Sequence, residues 1–212
     1  MKRIVLFLVV FGMAASMYAQ QLPPYRFAAG NWGFSGGRLF QNDAKAPLAK
    51  VNFEAPQNGP MLYQFNAIYE GGAEDGHGGF GLHIFGDQAY NGVSWGNGNS
   101  YLLWLNYDEN PISTAIPKGL SAQVYRSRSN SYMELVESVP LNEYERYLTD
   151  ENLAGPVPFK IVANGKTGEV RVYDPINPGS YYSFSLAVRD VPFTGNWVSL
   201  RTNGMKLSFA LE

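Results

Sequence analysis

The chain has 212 residues with 23 glycines, 13 prolines, 31 aromatics and no cysteine; 16% of its residues are charged and its formal net charge is −2. The absence of cysteine excludes disulfides, zinc–thiolate and iron–sulfur sites, thiol catalysis and lipidation of the bacterial kind. Glycine plus proline, 36 of 212, is too low for a collagenous or low-complexity chain and high for a helical bundle, and 45% hydrophobic content supplies a packed core without staples.

In chain order, the first segment reads as a secretory signal over residues 1–19. Lys2 and Arg3 give the positive start, Ile4 to Ala15 is an apolar run of 12, and Ser16-Met17-Tyr18-Ala19 offers a cut after Ala19. The run falls short of the roughly 20 apolar residues that cross a bilayer. No later segment is long enough to span, and without a cysteine after the cut there is no lipid anchor. Removing residues 1–19 leaves 14 basic and 18 acidic residues, a net −4, which argues against nucleic acid as a partner. The expected location is a bacterial periplasm or the cell exterior.

From residue 20 to 212 the chain reads as a single domain. Period-two runs separated by Gly, Asn, Asp and Pro predict strands at 38–41, 49–54, 61–70, 79–86, 92–95, 100–108, 119–128, 131–138, 157–163, 168–174, 181–188, 196–201 and 204–211. Gly96-Asn97-Gly98-Asn99 and Asn164-Gly165-Lys166-Thr167-Gly168 read as hairpin joints, since their residues tolerate positive φ. One short helix is expected near 142–153: Asn142 and Glu145 have capping-box spacing, Leu141, Tyr144 and Leu148 share a face, and Gly155-Pro156 stops it. The fold class predicted is all-β, a two-sheet antiparallel jelly-roll sandwich.

Several segments carry a family resemblance. Asn31-Trp32-Gly33-Phe34-Ser35-Gly36-Gly37-Arg38-Leu39, Met61-Leu62-Tyr63-Gln64-Phe65, and Gly78-Gly79-Phe80-Gly81-Leu82-His83-Ile84-Phe85 are three of them. With the Phe159–Gly165 and Glu169–Asp174 hairpin and the closing Val198–Gly204 strand with Leu207 and Phe209, they resemble the concanavalin A-like lectin/glucanase superfamily in its laminin-G-like form. The resemblance covers most of residues 25–212 and implies a two-sheet jelly roll; lectins, hydrolases, adhesion modules and structural pieces all use that fold.

Catalytic strings are missing where such enzymes carry them. Glucanases of this superfamily often place Glu-x-Asp-x-x-Glu, or a form one residue shorter, on one strand; no such string occurs, and Glu134 and Glu137, three apart, face opposite ways on a strand. Gly33-Phe34-Ser35-Gly36-Gly37 and Gly92-Val93-Ser94-Trp95-Gly96 match a nucleophile elbow in letters, but each continues into a strand or a turn instead of a helix. The loop from Glu70 to Gly79 gathers Glu74 and Asp75 with backbone carbonyls, an oxygen-rich setting that suits calcium as an optional ligand; no cofactor is required. The bland alternative is a hairpin loop with solvated charges.

Alternation points to a face. Gln64 and Asn66, His83, Trp104 and Asn106, and Gln123 and Tyr125 each lie opposite the apolar residues of their own strand. Should these strands share a sheet, that face combines amides, a histidine and aromatic rings, as a sugar site requires; an ordinary solvent-facing sheet is the alternative. The sequence therefore predicts a non-catalytic exported recognition or assembly module whose partner is a glycan or a cell-envelope protein. Two alternatives stay open: a structural component of an envelope assembly such as a flagellar sheath or surface layer, and a glycoside hydrolase with carboxylates from separate strands.

Overall fold

A computed structural model describes residues 22–186 and 193–211; the expected signal segment lies outside them, as does the end of the strand expected at 181–188. In chain order the strands are β1 (Tyr25–Ala29), β2 (Trp32–Ser35), β3 (Arg38–Gln41), β4 (Ala49–Gln57), β5 (Pro60–Gly72), β6 (His77–Gly86) and β7 (Ser100–Asp108). They continue as β8 (Gly119–Ser127), β9 (Met133–Pro140), β10 (Val157–Asn164), β11 (Glu169–Tyr173), β12 (Tyr181–Ser185), β13 (Gly195–Asn203) and β14 (Met205–Leu211). Among the described residues they form two antiparallel seven-stranded sheets. Sheet A runs β1-β4-β13-β6-β7-β8-β9, and sheet B runs β12-β11-β10-β5-β14-β3-β2.

Period-two patterning decides which side of each strand is buried. In sheet A, Val51, Phe53, Leu82, Ile84, Leu103, Val124 and Leu200 turn inward; Leu39, Phe65, Ala67, Ile161, Ala163, Leu207 and Phe209 meet them from sheet B. Four rings knit the layers together. Phe65 stacks on Phe159 at 5.2 Å, Phe80 meets Phe159 edge-on at 5.1 Å, and Phe209 lies 6.0 Å from Phe65 and 5.9 Å from Phe80. Each buried ring contributes roughly 1.5–3 kcal/mol.

The all-β jelly-roll sandwich is as the patterning predicts. The differences are local. The short strands β1 and β2, not among the strands predicted from patterning, edge the two sheets, and Tyr25 and Phe34 bring those edges together at 5.2 Å. Residues 92–95, expected as a strand, belong to a loop over 87–99, because Gly92, at φ 147°, and Gly98, at φ 60°, take backbone conformations outside a strand. The helical stretch falls where expected, as a 3-10 turn (Asn142–Tyr147) followed by α1 (Asp150–Leu153). Asn142 does not cap it: Glu145 Oε1 instead accepts from the Leu120 amide at 3.1 Å, tying the turn to β8.

Candidate functional site

Cross-strand pairing lays two rows across the outer face of sheet A. One runs Lys50, Arg201, Gly81, Trp104, Gln123 and Ser138; the next runs Asn52, Ser199, His83, Leu102 and Tyr125. The alternation that buries Val51, Leu200, Leu82 and Leu103 necessarily sends these residues the other way. Asn106 lies beside Trp104 in a third row, between Gly79 and Ser121. Gly79 is needed under the indole: a Cβ there would sit 2.5 Å from Trp104 Cζ2.

The loop over residues 87–99 folds back onto this face and is pinned by one amide. Asn97 is fully buried; its Oδ1 accepts from Lys50 Nζ at 3.2 Å and from the Tyr90 amide at 3.1 Å. Its Nδ2 donates to Ser199 Oγ at 2.8 Å and its backbone amide to Ser127 Oγ at 2.9 Å. Ser199 Oγ donates in turn to Asn52 Oδ1, whose Nδ2 bonds the Tyr90 carbonyl. The loop therefore presents its outward side chains from a fixed base: Val93 is 72%, Trp95 52% and Tyr90 42% exposed.

Trp95 is the key element of that display. Arg201 Nη1 donates to the Trp95 carbonyl at 2.6 Å, and the guanidinium lies 4.7 Å from the Trp95 ring centroid and 5.4 Å from that of Trp104. The charge thus lies against two indoles, one half-exposed and one buried. Burial lowers the Arg201 pKa to about 10, with Tyr125 opposing the shift. Burial first, then the Arg201 charge, lowers that of Lys50 to about 8. His83 is held well below its ordinary value by burial, then Arg201, then Lys50, so its ring is neutral at pH 7.

Of the residues singled out by sequence, His83, Trp104, Asn106, Gln123 and Tyr125 come together on this face. They interlock. Trp104 Nε1 donates to Asn106 Oδ1 at 3.0 Å, Gln123 Nε2 to Ser121 Oγ at 3.0 Å, and Tyr125 OH to Gln123 Oε1 at 2.7 Å. Gln64 and Asn66 do not join them. Their strand β5 pairs with β10 and β14 in sheet B, so these side chains lie on the opposite outer face of the sandwich. Nor is the face an open one at its centre, for Trp104, Gln123 and His83 are all buried under their neighbours.

Glu74 and Asp75 are exposed on the β5–β6 hairpin, where Asp75 Oδ1 accepts from the His77 amide at 3.1 Å. Among the described residues no group of three or more His, Asp or Glu side chains is placed to hold a metal ion. Sequence reasoning missed Lys50, Arg201 and Trp95. Lys50 and Arg201 were legible as polar residues alternating with Val51 and Leu200; Trp95 was hidden at the end of a strand expected at 92–95, which the structure places in a loop.

No protein-family model matches the chain, and no curated protein does. Solved structures match across nearly the whole chain. The carbohydrate binding module CBM66 from Bacillus subtilis superposes with a TM-score of 0.58 at 12% identity, covering 89% of this chain and 92% of that one. The shared fold is a two-sheet jelly roll. The CBM2 module of the evolved Dit of Lactobacillus casei BL23 phage J-1 gives 0.52 at 13% identity over 86% and 77% of the two chains. A legume lectin-like domain from Entamoeba histolytica gives 0.50 at 12% identity over 88% and 86%.

Proposed function

We propose that the protein is an exported, non-catalytic carbohydrate-binding module that takes a glycan on the outer face of sheet A, with Trp95 as the stacking ring. One observation carries the reading: an indole 52% exposed, its ring backed by the Arg201 guanidinium at 4.7 Å, on a loop anchored by a fully buried asparagine. A flat apolar ring carried on an anchored loop needs little loop ordering when a sugar stacks on it, and the half-buried Tyr125 on the same face supplies a polar group for hydroxyls. The likeness to modules described as carbohydrate-binding supports the same reading. Neither cross-strand row contains Asp or Glu, so the two carboxylates that glycoside hydrolysis needs are missing from the middle of the face.

Two measurements test it. Binding to a panel of polysaccharides by calorimetry should weaken by about ten-fold or more in Trp95→Ala, with a single cooperative melting transition retained. Unchanged affinity in that variant removes Trp95 from the site. Export predicts a mature protein beginning at Gln20, which mass spectrometry of the secreted or periplasmic fraction reads directly.

A second observation favours the assembly reading. Tyr25, Phe27 and Phe34 point inward at the open edge of the sandwich where β1 and β2 lie, yet each remains at least 40% exposed, and their rings pack 5.2–6.3 Å apart. Sedimentation of wild type against Phe27→Ser with Phe34→Ser distinguishes a self-associating edge from an inert one.

A further inference from the structure

The electrostatics of the same face narrow its ligand. Lys50 and Arg201 are cross-strand neighbours, 0% and 2% exposed, and among the described residues neither meets a carboxylate. Lys50 Nζ bonds only neutral oxygens, Ser94 Oγ at 2.5 Å and Asn97 Oδ1 at 3.2 Å; Arg201 bonds a peptide carbonyl. Among the described residues, the charged groups that act on Lys50 and His83 are cations. Two desolvated positive charges held side by side with neutral partners are unfavourable, and the native state keeps them.

Polar atoms without partners lie along the same face, spread from β13 to β9. Arg201 Nε, His83 Nε2, Asn106 Nδ2 and Ser138 Oγ are buried and make no hydrogen bond, and all four lie on the outer face of sheet A. For the guanidinium this matters most. Nη1 is committed to Trp95, whereas Nε belongs to the side-on edge that suits an oxyanion bidentately. The half-exposed Trp95 ring lies 4.7 Å from that guanidinium, which is itself 2% exposed.

We propose that the glycan taken by this face is acidic, with a carboxylate or sulfate group received at the Nε edge of Arg201 beside Trp95 and Trp104. This rests on the glycan reading above and adds to it the chemical class. Movement of the Trp95 ring uncovers the edge, and the anion supplies the negative charge that the described residues lack there. A formal net charge of −2 gives the protein no general attraction for polyanions, so the preference must come from the site.

The test compares matched polymers on the whole secreted chain at roughly 0.15 M salt, where exposed charges are largely screened beyond about 8 Å. Polygalacturonate is set against its methyl ester, and dextran sulfate against dextran; the two pairs distinguish carboxylate from sulfate. Wild type is expected to bind at least one acidic polymer about ten-fold more tightly than its neutral counterpart. Arg201→Gln should abolish that preference while keeping the wild-type near-ultraviolet circular dichroism. Equal binding of acidic and neutral polymers, with loss of both in Trp95→Ala, overturns the acidic class and leaves the glycan site standing. No binding of either kind overturns both. A preference that survives Arg201→Gln in a folded variant also overturns the proposal. Should that variant fail to fold, the wild-type comparison of acid with ester still decides it.

Discussion

Lys50 carries a charge to a place where charge is disfavoured. Its ammonium pKa falls from 10.5 to about 8 through burial and the Arg201 charge. Between those values the unfolded chain holds a proton that the folded chain has released, so stability attributable to this group rises with pH across the window and the full penalty is present below pH 8. Lys50→Met should therefore be more stable than wild type at pH 7 by about 1–3 kcal/mol, with the margin shrinking toward pH 10. Its former partners stay satisfied, since Ser94 Oγ donates to the Gly96 carbonyl and Asn97 Oδ1 accepts from the Tyr90 amide. Urea unfolding of both proteins at pH 7 and pH 9.5 checks the sign. A variant less stable at pH 7 would show that the ammonium is a structural anchor and not a group awaiting an anion.

The loop over 87–99 shows how a segment without regular structure becomes a rigid platform. It has little apolar anchorage, because Tyr90, Val93 and Trp95 face outward; polar bonds to the strands hold it instead. Asn97 supplies bonds to Lys50, Tyr90, Ser199 and Ser127, drawing on β4, β13 and β8 at once. Asn97→Ala leaves Ser199 and Lys50 short of a buried partner and is expected to cost about 2–4 kcal/mol. Hydrogen exchange should then rise across residues 88–99 while β6 and β7 keep their protection, and glycan affinity should fall with the lost preorganisation. Exchange spread evenly over sheet A would show that the loop and the sheet unfold as one unit.

The two layers depend on one aromatic junction. Phe209, fully buried on β14, touches rings from both sheets: Phe65 and Trp32 in sheet B, and Phe80 in sheet A. Phe209→Ala opens a cavity where neither sheet can collapse without moving the other, and about 3–5 kcal/mol of stability should be lost. Because the junction is shared, fluorescence and circular dichroism should still report a single coincident urea transition, shifted to lower denaturant. Separate transitions for the two probes would mean that the sheets are independently stable.

Strand identity in this protein is a local property, and the sequence carries it: in β5, Gln64 and Asn66 alternate with Tyr63, Phe65 and Ala67, whatever lies across the sheet. The sandwich follows, since each strand has one apolar side to bury. The same alternation assigns His83, Trp104, Asn106, Gln123 and Tyr125 to the sides of their strands opposite the core. Which strands become neighbours is not local. Gln64 and Asn66 have the same alternation, yet β5 pairs with β10 and β14, so they face away from His83 on the far side of the molecule. Nor does alternation reveal that Lys50 and Arg201 sit side by side 151 positions apart in the chain, or that Trp95 folds back against Arg201. Period-two patterning tells a side chain which way to point; only the long-range pairing of strands, and the loop closed over them, decides what it points toward.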